Sequence, residues 1–314
     1  MKMSAKKVLG LVLAGVLAAG SLTACGGGGT TATTADTKAE ATTAAGDAKA
    51  EGDAAADTTA ADSGEKKTLR VAMECAYAPY NWTQPDDSNG AVAIADSNEF
   101  AYGYDVMMAK KICEELGYDL EIVRLDWDSL IPAVTTGKVD CVIAGQSITS
   151  ERLQAVDFTE PYYYATIVTL VKEGSKYADA KSVADLAGAT CTSQQSTIWY
   201  NTCLPQIQDA NVLAATASAP DMLMSLNADK CDLVVTDQPT GKGALIAYPN
   251  FKMIEFGGGD ADFQVTDEDI NIGISLKKGN TELKDAINSV LTKMTKDDFS
   301  KMMDEAISVQ PLAN

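Results

Sequence analysis

Between Thr68 and Asn314 the apolar positions follow two periods. Short apolar runs at Leu69–Met73, Leu120–Arg124 and Cys141–Ala144 predict strands. Between the first two, Val106, Ala109, Cys113 and Leu116 fall on one helical face. Asp105 is expected to cap that helix and Gly117 to stop it. Asp128 is expected to cap a second helix running through Val134 to Gly137, with Pro132 tolerated in its first turn. The order β-α-β-α-β argues for a parallel, doubly wound α/β sheet. A second set begins at Ile167–Val171. It continues with a strand near Thr190, helices near Thr197–Cys203 and Asp221–Asn227, and a strand at Leu233–Val235. Asn271–Ser275, Thr281–Met294 and Lys296–Ile307 close the chain.

The two sets echo each other. Lys138-Val139-Asp140-Cys141-Val142-Ile143-Ala144-Gly145 resembles Lys230-Cys231-Asp232-Leu233-Val234-Val235-Thr236-Asp237. Each is an apolar strand leading to a terminal Gly or Asp. Ligands of open α/β sheets sit off the carboxyl ends of the strands. Two lobes built alike would therefore bring Gly145 and Asp237 to face each other across a cleft.

The N-terminus obeys different rules. Lys2, Lys6 and Lys7 precede an apolar run, Val8–Leu22, too short for a comfortable membrane span, which reads as a secretory signal. Residues 26–67 contain only Gly, Ala, Thr, Ser, Asp, Glu and Lys. Nothing there offsets the entropy of ordering, so the segment is expected to be a disordered tether with a reach of roughly 35 Å. Leu22-Thr23-Ala24-Cys25 resembles the lipobox of bacterial lipoproteins, which implies cleavage before Cys25 and lipid on its sulfur.

Charge and composition narrow the function. The chain of 314 residues carries a net charge of -19, and +3 of the signal and -4 of the tether leave -18 on the remainder. Such acidity argues against a nucleic-acid partner or an anionic lipid surface. The absence of histidine excludes Ser-His-Asp and Cys-His nucleophile pairs and an imidazole metal site. Cysteine spacing shows no zinc pattern, so no metal or cofactor is expected. Cys113, Cys141 and Cys231 lie in apolar patterns and read as small buried hydrophobes. Cys191 and Cys203 could pair, a point the sequence leaves open.

Three stretches carry a family resemblance. Gly103-Tyr104-Asp105-Val106 with its helix is similar to the opening of extracellular solute-binding proteins (family 3, amino-acid type) of ABC importers. Gly145-Gln146-Ser147-Ile148-Thr149-Ser150-Glu151-Arg152 followed by Val156-Asp157-Phe158-Thr159-Glu160-Pro161-Tyr162-Tyr163 resembles that family's most recognisable block, and Gln195-Ser196-Thr197 and Val235-Thr236-Asp237 resemble its second-lobe elements. The resemblance implies a two-lobed periplasmic-binding-protein-like fold, with two doubly wound sheets joined by two hinge strands near Tyr164–Ile167 and between Phe256 and Asn271. The expected division is a signal at 1–25, a tether at 26–67, lobe 1 at 68–164 plus 268–314, and lobe 2 at 165–267. Ser196 stands where the family often has Gly, and residues 86–99 make a longer first loop than usual.

The resemblance also implies a site for one amino acid, and the chemistry of the residues agrees. Arg152 suits the α-carboxylate, because guanidinium pairs with carboxylate bidentately. Ser147, Gln195 and Thr197 are expected to line the site, Ser147 and Thr197 adding donors to that carboxylate. Asp237 suits the α-ammonium while also able to cap the helix after Pro239, and the Gly145 carbonyl can accept from the same ammonium. Tyr77 and Trp127 are expected to sandwich the ligand's side chain, with Trp82 as a weaker candidate. Glu74 is expected to meet a distal polar group, favouring ligands with N–H donors.

The expected function is that of a substrate-binding lipoprotein, not an enzyme. It would capture a polar, basic or amide, free L-amino acid and deliver it to an ABC permease and its ATPase subunits. It is expected to be an exported monomer held on the outer face of the cell membrane by its lipid anchor only. Two alternatives share the fold: a dehydratase-like enzyme acting on small carboxylic acids, and a ligand sensor. Replacing Cys25 by Ser is expected to release the protein into the medium with ligand affinity unchanged. Fractionation of cells expressing the variant tests this, and continued membrane association would refute the lipobox reading.

Overall fold

The computed structural model describes residues 66–311. The signal, Cys25 and all but the last two residues of the expected tether lie outside the described residues. The first sheet has the strand order Asp119–Arg124, Thr68–Met73, Cys141–Val142, Ser275–Lys277, Val156–Phe158. Its first three strands are parallel, as the β-α-β-α-β pattern predicts, and Ser275–Lys277 runs antiparallel to both of its neighbours. That antiparallel strand arrives from the far end of the chain, so residues after the second lobe complete the first. Val71, Ala72, Ile122, Val142 and Leu276 are fully buried where helices cover the sheet.

The second sheet repeats the plan with the order Asn211–Val212, Thr190–Thr192, Leu233–Asp237, Ile167–Lys172, Phe251–Ile254. Ile167–Lys172 is antiparallel to Leu233–Asp237, with Ile167 opposite Asp237. A two-stranded ribbon links the lobes: Tyr163–Tyr164 pairs antiparallel with Asn271–Ile272. Both sheets thus place an antiparallel strand beside the linking ribbon, which the strand periodicity alone does not reveal.

Local signals explain most element ends. Gly117 and Gly137 close their helices in the left-handed conformation at φ +68 and +77. Ser218 caps the Ala219–Asn227 helix by accepting from the Asp221 N–H. The two final helices are Thr281–Leu291 and Lys296–Val309. Residues Thr197–Cys203 form only a short π-helical turn, Trp199–Cys203.

Both predicted aspartate caps need correction. The N-cap of the Tyr104–Leu116 helix is Gly103, and Asp105 sits in the first turn with its side chain fully buried. The N-cap of the Trp127–Thr136 helix is Asp126, and Asp128 lies one residue inside it. In each case the carboxylate is committed to a tertiary contact, which outweighs the backbone donors it could have satisfied.

The long first loop does not wall the cleft. Val92–Ala93 joins a small antiparallel sheet with Phe100–Tyr102, Asn81–Gln84 and Ala76–Tyr77, and Ile94 bridges to Ile122 on the outer strand of the first sheet. An Arg124–Glu99 ion pair at 2.7 Å ties its far end to the same strand. Cys191 and Cys203 are unpaired, and all six described cysteines are buried free thiols. Burial pushes the Cys191 thiol up to about 11, so these thiols are packing groups and not nucleophiles.

Candidate functional site at the junction of the lobes

Strand ends build the site, as open α/β sheets dictate. Glu74 follows the Thr68–Met73 strand, Gly145 follows Cys141–Val142, and Asp237 ends Leu233–Asp237. Asp237 belongs to lobe 2 and is 1% exposed. Its Oδ1 accepts from the Thr240 N–H at 2.9 Å, capping the Gln238–Ala247 helix. Its Oδ2 accepts two hydroxyls from lobe 1, Tyr77 at 3.1 Å and Tyr80 at 2.8 Å. Burial raises its pKa above the ordinary carboxylate range, and the donors from Thr240, Tyr80 and Tyr77 oppose that shift. Cap and cleft residue are therefore one role shared between two oxygens.

Tyr77 stacks on Tyr80 with ring centroids 4.7 Å apart and stands 6.4 Å from Trp199 of lobe 2. Gly145 makes this stack possible. Its φ is +61, and a Cβ there would lie 2.8 Å from Tyr77 Cε1, closer than any real carbon contact. The residue at the end of the third strand must therefore be glycine for the tyrosine to pass in front of it and reach Asp237. The strand-end pair suggested by the internal echo is spanned by this one ring.

Glu74 is 7% exposed, and its Oε2 has no hydrogen-bond partner among the described residues. Its Oε1 has Gln194 Nε2 of lobe 2 at 3.5 Å, the outer limit of a hydrogen bond. Burial, followed by the charges of Asp105 and Asp126, pushes its pKa up to about 8. A buried carboxylate oxygen without a donor is costly and marks a place for a proton or a cation.

The second group of expected residues surrounds Arg152. Its Nη1 donates to the Ser147 carbonyl at 2.8 Å and its Nη2 crosses to lobe 2, donating to the Ser196 carbonyl at 2.9 Å. The guanidinium carbon lies 5.2 Å from the ring centroid of Trp127, a cation–π contact. Burial lowers the Arg152 pKa to about 10, so the side chain stays cationic in neutral solution. Beside it, Trp127, Gln146, Arg152, Ser196 and Thr197 line a cavity of about 450 Å³ that opens between the lobes. Glu74, Tyr77 and Asp237 are not among the residues lining that cavity. The Thr197 hydroxyl donates to the Gln194 carbonyl at 2.7 Å, and Gln195 Nε2 donates to Asp128 at 2.6 Å.

Trp82 belongs elsewhere. It packs edge-on against Tyr102 and lines a separate apolar cavity of about 310 Å³ with Leu223, Ala244 and Tyr248. Sequence reasoning missed Tyr80, Gln194 and the lobe-bridging Asp128. Tyr80 had a signal: in Ala76-Tyr77-Ala78-Pro79-Tyr80 a second hydroxyl recurs three residues after the first. Among the described residues no group of His, Cys, Asp or Glu is placed to hold a metal ion, and no helix is long and apolar enough to cross a membrane.

Opposed charges on two facing lobes, joined by a narrow ribbon, define a clamp for a small charged molecule. Residues 69–307 match the model of the bacterial extracellular solute-binding proteins, family 3, and the chain belongs to that family. It is 29% identical to the L-arginine-binding protein of Pseudomonas aeruginosa over 229 residues, covering 72% of this chain and 82% of the relative. An amino acid ABC transporter substrate-binding protein from Streptococcus pneumoniae bound to L-arginine superposes with a TM-score of 0.64 at 25% identity, covering 77% of this chain and 94% of that one. An ancestral arginine-binding protein bound to glutamine superposes with a TM-score of 0.59 at 29% identity, covering 77% and 98%. The two-lobed α/β architecture is that of amino-acid-binding proteins, and the chain is a solute-binding protein rather than an enzyme.

A buried carboxyl makes stability depend on pH. Glu74, whose Oε2 has no donor among the described residues, is raised from 4.5 to about 8. A carboxyl with a raised folded-state pKa holds a proton in the folded protein that the unfolded chain has already released. Its contribution is complete below the unfolded pKa and is lost as pH rises through the folded one. The Tm of the protein without ligand is expected to fall between pH 5 and pH 8. Glu74→Gln should flatten that fall by up to one proton, about 1.4 kcal/mol per pH unit. Parallel melting series of the parent and variant check this, and identical slopes would show that Glu74 titrates normally.

Proposed function

We propose that this protein is the lipid-tethered binding component of an ABC importer and captures a basic L-amino acid between its lobes. The observation that carries the reading is a set of three charges. Arg152 reaches from lobe 1 to the backbone of lobe 2 at Ser196, and Asp237 of lobe 2 is capped by lobe 1 hydroxyls. Glu74 is buried at the end of the first strand with an oxygen that has no partner among the described residues. In this reading Arg152, with Ser147 and Thr197 nearby, takes the α-carboxylate. Asp237 and the Gly145 carbonyl take the α-ammonium. Tyr77 and Trp127 flank the side chain, whose far cation meets Glu74, and Gln195 holds the lobes together at the mouth. The arginine-binding relatives and the arginine-bound neighbour support a cationic ligand. The lipobox-like Leu22-Thr23-Ala24-Cys25 and the polar, small-residue composition of residues 26–67 support an anchored protein that hands its ligand to a membrane permease.

Energetics favour such a clamp. A charge-assisted hydrogen bond contributes roughly 1.5–3 kcal/mol, and micromolar binding needs about 8 kcal/mol. A few such contacts suffice once ordering costs are met. Closure follows because only the closed form lets both lobes contact the ligand.

Arg152→Ala and Asp237→Ala are each expected to cost about 3–5 kcal/mol of binding, since each leaves a desolvated ligand charge unpaired. That is a loss of roughly 10²–10³-fold or more in affinity. Arg152→Lys should restore only part of it, because an ammonium lacks the bidentate fork. Glu74→Gln should shift preference from arginine and lysine toward glutamine while sparing recognition of the α-groups. Calorimetric titration of the variants against the twenty amino acids is the measurement. Arg152→Ala binding within threefold of the parent would remove Arg152 from the site.

A further inference from the structure

We propose that Asp105 is a positioning residue for the binding site, its buried carboxylate fixing through Tyr162 and Asn81 the two strand-end turns that carry Gly145 and Glu74. This rests on the amino-acid-binding reading above. Asp105 is fully buried in the first turn of the Tyr104–Leu116 helix, and among the described residues no lysine or arginine pairs with it. Its two oxygens are used separately. Oδ1 accepts from the Tyr162 hydroxyl at 2.7 Å, and Oδ2 accepts from Asn81 Nδ2 at 2.8 Å. Each partner then holds one backbone N–H. Gly145 donates to the Tyr162 hydroxyl at 2.9 Å, and Cys75 donates to Asn81 Oδ1 at 2.7 Å.

Both of those backbones are in the left-handed region. Gly145 has φ +61 and Cys75 has φ +54. Cys75 follows Glu74 directly, and for a side chain that bears a Cβ this conformation is disfavoured. A left-handed cysteine persists only where its surroundings determine it. Here Asn81 holds its N–H, and the Thr83 hydroxyl donates to its carbonyl at 2.7 Å. The turn at Cys75 aims Glu74, and the turn at Gly145 aims a carbonyl and clears the path of Tyr77. One carboxylate therefore sets the spacing between the two adjacent strand ends.

A carboxylate is required because both neighbours must donate. With asparagine at 105, one oxygen becomes a donor. If it faces Tyr162, that hydroxyl receives both the new amide and the Gly145 N–H, and its own proton loses its acceptor. If it faces Asn81, the Asn81 amide must turn, and the Cys75 N–H loses its acceptor. Burying a charge without a cation costs several kcal/mol. A core built for stability alone would use an apolar residue here.

Tyr162→Phe, which keeps the ring and deletes the hydroxyl, tests the arrangement, with Asp105→Asn as a second variant. The probes are L-arginine and 5-guanidinopentanoate, which keeps the carboxylate and guanidinium but lacks the α-ammonium. Tyr162→Phe is expected to weaken L-arginine at least tenfold and the analogue less than threefold, because the Gly145 carbonyl meets the ammonium alone. Asp105→Asn should weaken both, since it also releases the Glu74 turn. In the protein without ligand, hydrogen exchange at the Gly145 amide should quicken at least tenfold in both variants. Equal losses for both probes with Tyr162→Phe, or unchanged Gly145 exchange, would overturn the proposal and leave a merely structural network. Failure of the parent to bind any amino acid would instead overturn the amino-acid-binding reading.

Discussion

The structure turns on a carboxylate balanced by hydroxyls instead of a cation. Asp237 is buried, capped from within its own lobe by a helix N-terminus and from the other lobe by two tyrosines. Neither hydroxyl removes its charge, so the acid stays destabilised where the lobes meet. Glu74 and Asp105 add two more buried acids on the lobe 1 side, and each is raised by burial. In the proposed reading an ammonium supplies the countercharge that these acids lack. Arg152 lies over the Trp127 ring and, in the proposed reading, is the group that meets a carboxylate. The polarity of the clamp follows from that separation of sign.

Much of the fold was legible in the sequence, and each lobe sets its candidate site residues at strand ends. The parallel strands, the glycines closing the Tyr104–Leu116 and Trp127–Thr136 helices and the acid at the end of Leu233–Asp237 follow from periodicity and capping rules. What escaped was decided by partners distant in sequence. Asp105 and Asp128 both precede apolar helical runs, and local rules assign such residues to caps. Asp105 instead meets Asn81 and Tyr162, and Asp128 meets Gln195 and Ser196, 67 and 68 residues away. The antiparallel insertion of Ser275–Lys277 is invisible for the same reason, since its neighbours lie more than a hundred residues earlier.

Ser196 shows how a departure from family habit can be absorbed. It occupies φ +56, a conformation glycine adopts freely and serine does not. Its hydroxyl donates to Asp128 at 3.1 Å, and its carbonyl accepts from Arg152. The side chain that makes the conformation unfavourable thus adds a contact between the lobes that glycine could not make. Its neighbour Gln195 donates to the other oxygen of Asp128, so the first turn of the Trp127–Thr136 helix is gripped from lobe 2 at two points.

The placement of the indoles gives the molecule an optical consequence. The chain has three tryptophans. Trp82 packs edge-on against Tyr102 and faces a cavity it shares with Leu223 and Tyr248 of lobe 2. Trp127 lies under a guanidinium tied to lobe 2, and Trp199 of lobe 2 stands 6.4 Å from the Tyr77 ring of lobe 1. Separation of the lobes changes the surroundings of all three. Tyr77 also lies within the range of efficient resonance energy transfer to Trp199, and that transfer weakens as the lobes part. Intrinsic fluorescence of the unlabelled protein is therefore a built-in gauge of lobe distance.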